Sequence, residues 1–394
     1  MLVLMERKYV VLVVATLSFV AFELILYSYP PISSLVSNDL HLSYTQSGLI
    51  TSVFPLAYAM MQVPGGYLAD RFGGARTLSV SLILLSFSPF VFVVGDTYAF
   101  ALIARVFAGV ACGVIIPSSV RVLSTWFRGK ELDSAMSVFG SGMGVAQIAA
   151  AAFLPMLIFG TDWKPPIVFT ALFALVVAML AILPAKWSSP SKSSVRVKVD
   201  VRGIFTRNMF ALTLPNFAAI GVVLGAFAWT PIFLTSTLHF SNIYAGKILA
   251  FIGVTNIVGC YAGAFLSRRL GKRFAIAISM MLLAIFSILL GSSHSGLAAV
   301  IWISGIGFAG TLYFAADFAL IPYASKQGVS VAGMTFGVFN TLSNIGGFLS
   351  PILFGVVLDY TRNFALGFAT LGFVALFGLA GAIMLRTDRL TLNQ

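Results

Sequence analysis

The feature that most constrains this chain is its succession of apolar runs, each about 20 residues or longer, the length a helix needs to cross a bilayer. Twelve can be marked, at roughly 9–34, 44–66, 75–95, 98–121, 132–158, 164–184, 208–235, 241–266, 273–292, 296–323, 332–358 and 364–386. In hydrocarbon, only a helix or a closed barrel satisfies its own backbone hydrogen bonds. The period-two alternation of a barrel strand is absent from these runs. The pattern therefore predicts an all-α membrane protein with twelve transmembrane helices. A soluble fold is excluded by polarity. Only 9% of the residues are charged, against about 25% in a soluble domain, and the mean hydropathy is +1.00. The first run is too long for a cleaved signal peptide, and no small-residue cleavage site follows it, so it is expected to remain as the first helix.

The charges that exist are placed unevenly. The net charge is +12, from 24 Lys and Arg against 12 Asp and Glu. They fall in gaps between apolar runs, which is the pattern of a membrane orientation signal and not of a nucleic-acid surface. With the N-terminus in the cytoplasm, 20 of the 24 bases fall on that side. The exceptions are Arg105, Lys164, Lys247 and Arg362. Both termini are thus expected in the cytoplasm of a plasma-membrane protein. The longest polar gap, WSSPSKSSVRVKVDVRG, separates six runs from six. It divides the chain into an N-terminal bundle over 1–185, a linker over 186–206 and a C-terminal bundle over 207–394. Cys112 and Cys260 each sit inside an apolar run and have no disulfide or metal spacing. No cofactor or metal is expected.

The second half repeats the first. Shifted by 198 residues, 40–73 and 238–271 are identical at nine of 34 positions, including His41/His239, Gly48/Gly246, Gly65/Gly263, Arg71/Arg269 and Gly73/Gly271. Two copies of six helices in the same orientation imply a pseudo-twofold axis along the membrane normal, with a solute path between the halves.

The turn after the second run reads GYLADRFG. This G-x-L-A-D-R-x-G phrase resembles the signature of the major facilitator superfamily, and SRRLG after the eighth run resembles its degenerate second copy. Arg105 and Gly109 match the family's R-x-x-x-G motif in helix 4. The resemblance covers the whole chain and implies two pseudo-symmetric six-helix bundles working as a secondary transporter by alternating access. It also implies that Gly66, Asp70, Arg71, Gly73 and Arg76 form a cytoplasmic latch. Gly66 and Gly73 would allow close helix approach, Asp70 would face a helix N-terminus, and Glu131 would be the partner of Arg71 and Arg76. GGFLSP in helix 11 resembles organic-anion branches of the family, although the acid in helix 1 is Glu23 followed by Leu24. Helix 5 lacks the Gly-Pro motif of the family's antiporters, which favours uptake.

Ionisable groups inside spans are costly and usually functional. Glu23, Arg105, Lys247 and Asp317 are the candidates for coupling. Glu23 and Arg105 fall at similar depth and are expected to pair. Asp317 reads equally as a coupling group or as a partner of Arg121, and Lys247 equally as a coupling group or as a snorkelling side chain. The candidate cavity residues are Tyr27, Tyr58, Gln62, Gln147, Asn216, Trp229, Asn256, Tyr313, Asn340 and Asn344. Tyr27 lies one turn beyond Glu23, and Asn344 one turn beyond Asn340, so each pair shares a face. His41, His239 and His294 are expected in solvated loops. No span contains His and no Walker-type loop is present, which argues against an intramembrane enzyme or an ATP-driven pump. The expected activity is proton-coupled symport of a small polar solute, with organic anions among the candidates, by a monomer. A facilitator, an efflux antiporter or a non-transporting sensor on the same fold are the alternatives.

Overall fold

The computed structural model describes residues 2–128, 130–187, 203, 205–318, 320–321, 324 and 332–385. Among them the regular structure is helical. α1 covers Leu2–Tyr27, α2 Ser33–Asp39, α3 Tyr44–Phe72, α4 Gly74–Val94, α5 Tyr98–Trp126, α6 Lys130–Ile148 and α7 Lys164–Trp187. The second half holds α8 (Arg207–Ser236), α9 (Asn242–Leu270), α10 (Lys272–Gly291), α11 (Gly296–Leu312), α12 (Phe314–Phe318), α13 (Ala332–Thr361) and α14 (Phe364–Met384). Ten stretches of the described residues are long and apolar enough to cross a membrane. The two further expected spans are α3, which is long but carries more polar residues, and α11, which is shortened to 17 residues. Most of the linker expected over 186–206 lies outside the described residues.

The chain forms two compact units. One takes residues up to Leu42 and from Val53 through α7. The other takes Ser43–Ser52 together with α8 to α14. α3 therefore belongs to the second unit in its first turns and to the first unit thereafter. In the first unit, α4 packs on α5 and α7. Its core joins Phe22 and Ile25 of α1, Leu78 and Leu82 of α4, Cys112 and Ile115 of α5, and Ala174 and Ala178 of α7. In the second unit, α9 packs on α11, α10 on α14, and α8 on both α13 and α14.

The two units share a local plan in several contacts, in each of which the residue of the second lies 198 positions after its counterpart. Ser81 Oγ donates to the Ala111 carbonyl at 3.1 Å, and Ser279 Oγ donates to Ala309 at 2.7 Å. Gly109 lies so close to α3 that a Cβ would stand 2.5 Å from the Phe54 carbonyl oxygen. At Gly307 the same atom would stand 2.6 Å from the Ile252 oxygen. In a bilayer such contacts replace the hydrophobic force that drives helices together in water. Gly73 and Gly271 both have φ of 90° and set the sharp turns before α4 and α10, a conformation open to glycine at little cost. Thr97 and Ser295 cap α5 and α11 with their side-chain oxygens.

The shared histidines have a place in this plan. His41 and His239 are exposed and have φ of 51° and 56°. Each stands two residues before a serine that caps the next helix, Ser43 for α3 and Ser241 for α9. Histidine is among the residues that tolerate the left-handed region. Their repetition is thus explained by chain reversal.

Gly109→Val and Gly307→Val should each lower stability, by about 1–3 kcal/mol, the usual range for overpacking. Thermal unfolding in detergent should show similar losses for the two variants. Gly140→Ala, where no atom lies within 4 Å of the added methyl, should leave the midpoint unchanged. Unequal losses at the two repeat positions would overturn their equivalence.

Candidate functional site

Arg105 is set by the end of α1. Pro30 and Pro31 stop that helix, and Pro30 has no N–H to offer the carbonyl of Leu26 four residues earlier. Arg105, buried in α5, supplies the missing donors. Its Nη2 donates to the Leu26 oxygen at 2.8 Å, and its Nη1 donates to the Ile25 oxygen at 2.7 Å. The guanidinium also lies 4.9 Å from the centre of the Phe54 ring. A cation at a helix C-terminus meets the negative end of its dipole. Arg105 thus closes α1 by a fork-shaped contact that a lysine cannot copy.

The expected ion pair between Glu23 and Arg105 does not form among the described residues. Glu23 is 6% exposed, and its Oε2 has no hydrogen-bond partner. One turn on, Tyr27 is hydrogen-bonded to Gln147, which is fully buried in α6. Tyr58 of α3 stacks on Phe22 at 5.1 Å, and Gln62, one turn further along α3, is half-buried. The first unit therefore gathers Glu23, Tyr27 and Gln147 in its buried interior.

The second unit holds a comparable group. The Tyr313 hydroxyl donates to Oδ1 of Asn216, and Thr311 donates to the Asn256 carbonyl at 2.7 Å. Asp317 is completely buried and neither carboxylate oxygen has a hydrogen-bond partner among the described residues. Asn344 Nδ2 donates to the Asn340 carbonyl at 2.8 Å, so this pair bonds along its own helix. Trp229 is taken up in packing. Its Nε1 donates to the Pro351 oxygen at 3.0 Å and its ring stacks on Phe354 at 5.1 Å. Lys247 is exposed on α9.

The latch turn differs from its expectation in three ways. Asp70 pairs with Arg121 of α5 at 3.4 Å. Arg121, for which Asp317 was a candidate partner, is thus engaged by Asp70 instead. Glu131 pairs with Lys8 of α1 at 2.8 Å, in place of Arg71 or Arg76. Arg71 instead donates to the Tyr67 hydroxyl, and Arg76 is exposed. The close-approach glycines are also displaced by one position. Gly66 meets nothing nearer than 3.8 Å and Gly73 nothing within 4 Å. A Cβ on Gly65 would clash with the Gly113 carbonyl at 2.8 Å, and one on Gly74 with that of Ser118 at 2.8 Å.

One contact has no signal in the sequence. Asp359, near the end of α13, accepts hydrogen bonds from the backbone N–H groups of Tyr44 and Thr45 at 3.0 and 2.9 Å, and from the Thr45 hydroxyl. It caps α3 from 314 residues away. Gly355 lets the same turn approach, since a Cβ there would stand 2.6 Å from the Tyr44 oxygen. A capping residue so distant leaves no local pattern.

Arg105→Ala should cost about 1–3 kcal/mol, because it leaves the part-buried Leu26 carbonyl without its donor, while Ile25 keeps the Ser28 hydroxyl. Pro30→Ala restores an N–H opposite the Leu26 oxygen and should recover part of that loss in the double variant. Glu23→Gln, which breaks no ion pair, should leave the unfolding midpoint unchanged or raise it. Thermal unfolding of the four purified proteins measures all three. A large loss in Glu23→Gln would mean that Glu23 has a stabilising partner after all.

Residues 11–351 match the model of the Major Facilitator Superfamily. The nitrite extrusion protein of Bacillus subtilis (strain 168) is 27% identical over 95% of this chain and 93% of its own. The hexuronate transporter of the same organism is 24% identical, covering 88% and 87%. The probable galactarate/D-glucarate transporter GarP of Escherichia coli (strain K12) is 22% identical, covering 87% and 86%. Among solved structures, a bacterial homologue of the human lysosomal transporter Spinster, in an inward-facing and unoccupied conformation, superposes with a TM-score of 0.77 at 17% identity. That match covers 98% of this chain and 95% of the other. The signature turn, the 198-residue repeat carried into the contacts of both units, and a family match across most of its length agree: the chain belongs to the Major Facilitator Superfamily.

Proposed function

We propose that this protein is a proton-coupled symporter that takes up a small organic or inorganic anion by alternating access. At the coarser level, it is a multi-pass membrane protein of a transporter family, its relatives are transporters, and such proteins are not enzymes. The observation that carries the finer reading is the burial of Glu23 beside a Tyr27–Gln147 pair and against a large apolar cluster, with no hydrogen-bond partner for Oε2 among the described residues. An acid kept there at such cost is a group with a task. Glu23 would take a proton with the solute and release it afterwards. The anion class is supported by relatives named for nitrite, hexuronate and galactarate or D-glucarate.

The halves 1–185 and 207–394 would act as two six-helix bundles related by a pseudo-twofold axis along the membrane normal. The polar side chains Tyr27, Tyr58, Gln62, Gln147, Asn256, Tyr313, Asn340 and Asn344 would face the solute. Asp70 with Arg121 would steady the latch turn on the cytoplasmic side, with both termini cytoplasmic and the protein monomeric in the plasma membrane. The pair is half exposed, so its stabilisation is at most about 1 kcal/mol, small enough to break in each cycle.

The test is uptake by proteoliposomes under an imposed inward proton gradient, with nitrite, nitrate, glucuronate and glucarate as labelled solutes. At least one should accumulate above equilibrium in the wild type. Glu23→Gln should still exchange that solute across the membrane but fail to accumulate it. Accumulation undiminished in Glu23→Gln would remove Glu23 from coupling, and wild-type uptake indifferent to the proton gradient would overturn symport.

A further inference from the structure

The two units depart from their common plan along α5 and its counterpart. α5 runs unbroken from Tyr98 to Trp126. Its counterpart starts at the equivalent position, Gly296, but stops at Leu312 and resumes as the five residues of α12. The break falls beside Gly259 and Gly263 of α9, where a Cβ would run into the carbonyls of Phe308 and Leu312. Tyr313 stands at the break and bonds Asn216 of α8. One turn on comes Asp317, whose N–H donates to the Tyr313 carbonyl at 3.0 Å.

At the position equivalent to Asp317 the first unit has Ser119. Both residues are completely buried, and neither side chain has a hydrogen-bond partner among the described residues. The second unit has therefore put an acid where the first tolerates a hydroxyl. Nδ2 of Asn216 is also without an acceptor. On the helices packed against α12, the bases Lys247, Arg268, Arg269 and Arg273 are exposed, as are Tyr244 and Tyr261, while Lys272 and Cys260 are half-exposed. None of these bonds Asp317.

A buried carboxylate with no donor or counter-charge among the described residues is in its least favourable state. Either a metal cation or a proton resolves this. A metal cation would need several oxygen ligands. No cluster of three His, Cys, Asp or Glu that could supply them occurs among the described residues. We propose that Asp317 is a proton-binding site, occupied in this conformation and emptied when the α11–α12 break repacks. On release the carboxyl O–H bond breaks and the proton passes to water. The carboxylate left behind accepts a hydrogen bond from the free Nδ2–H of Asn216. In the transporter reading above, Asp317 is a second coupling site, separate from Glu23, but its protonation does not depend on that reading.

Infrared difference spectroscopy of the purified protein tests the site directly. In a Glu23→Gln background, which removes the other acid buried among the described residues, a protonated-carboxyl stretch should be present at neutral pH. It should vanish in Asp317→Asn and in Asp317→Ser, which copies the first unit. Should either substitution misfold, as judged by its unfolding midpoint, the other carries the comparison. A band that survives both substitutions would overturn the proposal, as would its absence from the parent, or its loss on adding sodium at constant pH. In proteoliposomes, Asp317→Asn should keep solute exchange and lose accumulation; intact accumulation would overturn the coupling role. A wild type that shows the band but moves no solute would leave the proton site standing and refute the transporter reading instead.

Discussion

Every backbone group in hydrocarbon must find its hydrogen bond within the protein, and the architecture depends on that requirement. It makes the elements helices and obliges each helix end to be closed by something. The end of α1 meets this obligation with a side chain from another helix. Proline at position 30 stops α1 and withholds the N–H that the Leu26 carbonyl would have used, and Arg105 of α5 fills the gap. An arginine 79 residues away in sequence is thus held in place by the lack of one backbone donor. The start of α3 is closed by the same logic from the opposite sign of charge, with the Asp359 carboxylate on the N–H groups of Tyr44 and Thr45.

The same requirement shapes helix contacts. Apolar side chains gain little by leaving lipid for a neighbour, so close packing and carbonyl contacts decide which faces meet. Gly65, Gly74, Gly109, Gly263 and Gly307 each sit against a neighbouring carbonyl oxygen. Serines 81 and 279 donate to the carbonyls of a neighbouring helix. Apart from that of Gly74, whose counterpart is Lys272, these contacts recur at the repeat offset in both units, so the duplication kept packing where side-chain identity drifted. Where the plan is broken, at the α11–α12 interruption, an acid without partners appears. A departure from a repeat that also costs stability is the place to look for function.

Much of the fold could be read from the chain. The apolar runs near 20 residues marked the helices, and the shifted identity of His41, Gly48, Gly65 and Gly73 with their counterparts revealed the duplication. The polar residues inside spans were also recognisable, since an acid such as Glu23 or Asp317 stands out in an apolar run. What could not be read was whom they meet. Glu23 and Arg105 fall at matching depth yet do not form an ion pair, because the guanidinium is drawn to the end of α1. Glu131 turned to Lys8 and left Arg71 to Tyr67.

The sequence by itself determined the number and length of the apolar segments, the repeat and the residues whose presence in a membrane demands an explanation. These are properties of composition and period along the chain. The tertiary structure decided the pairings, because a partner depends on how each helix is rotated about its axis. One residue turns a side chain by about 100°. That is why Gly65 and Gly74, and not their neighbours Gly66 and Gly73, carry the close contacts at the signature turn. It is also why Asp70 meets Arg121, and why Asp359 reaches a helix start 314 positions away.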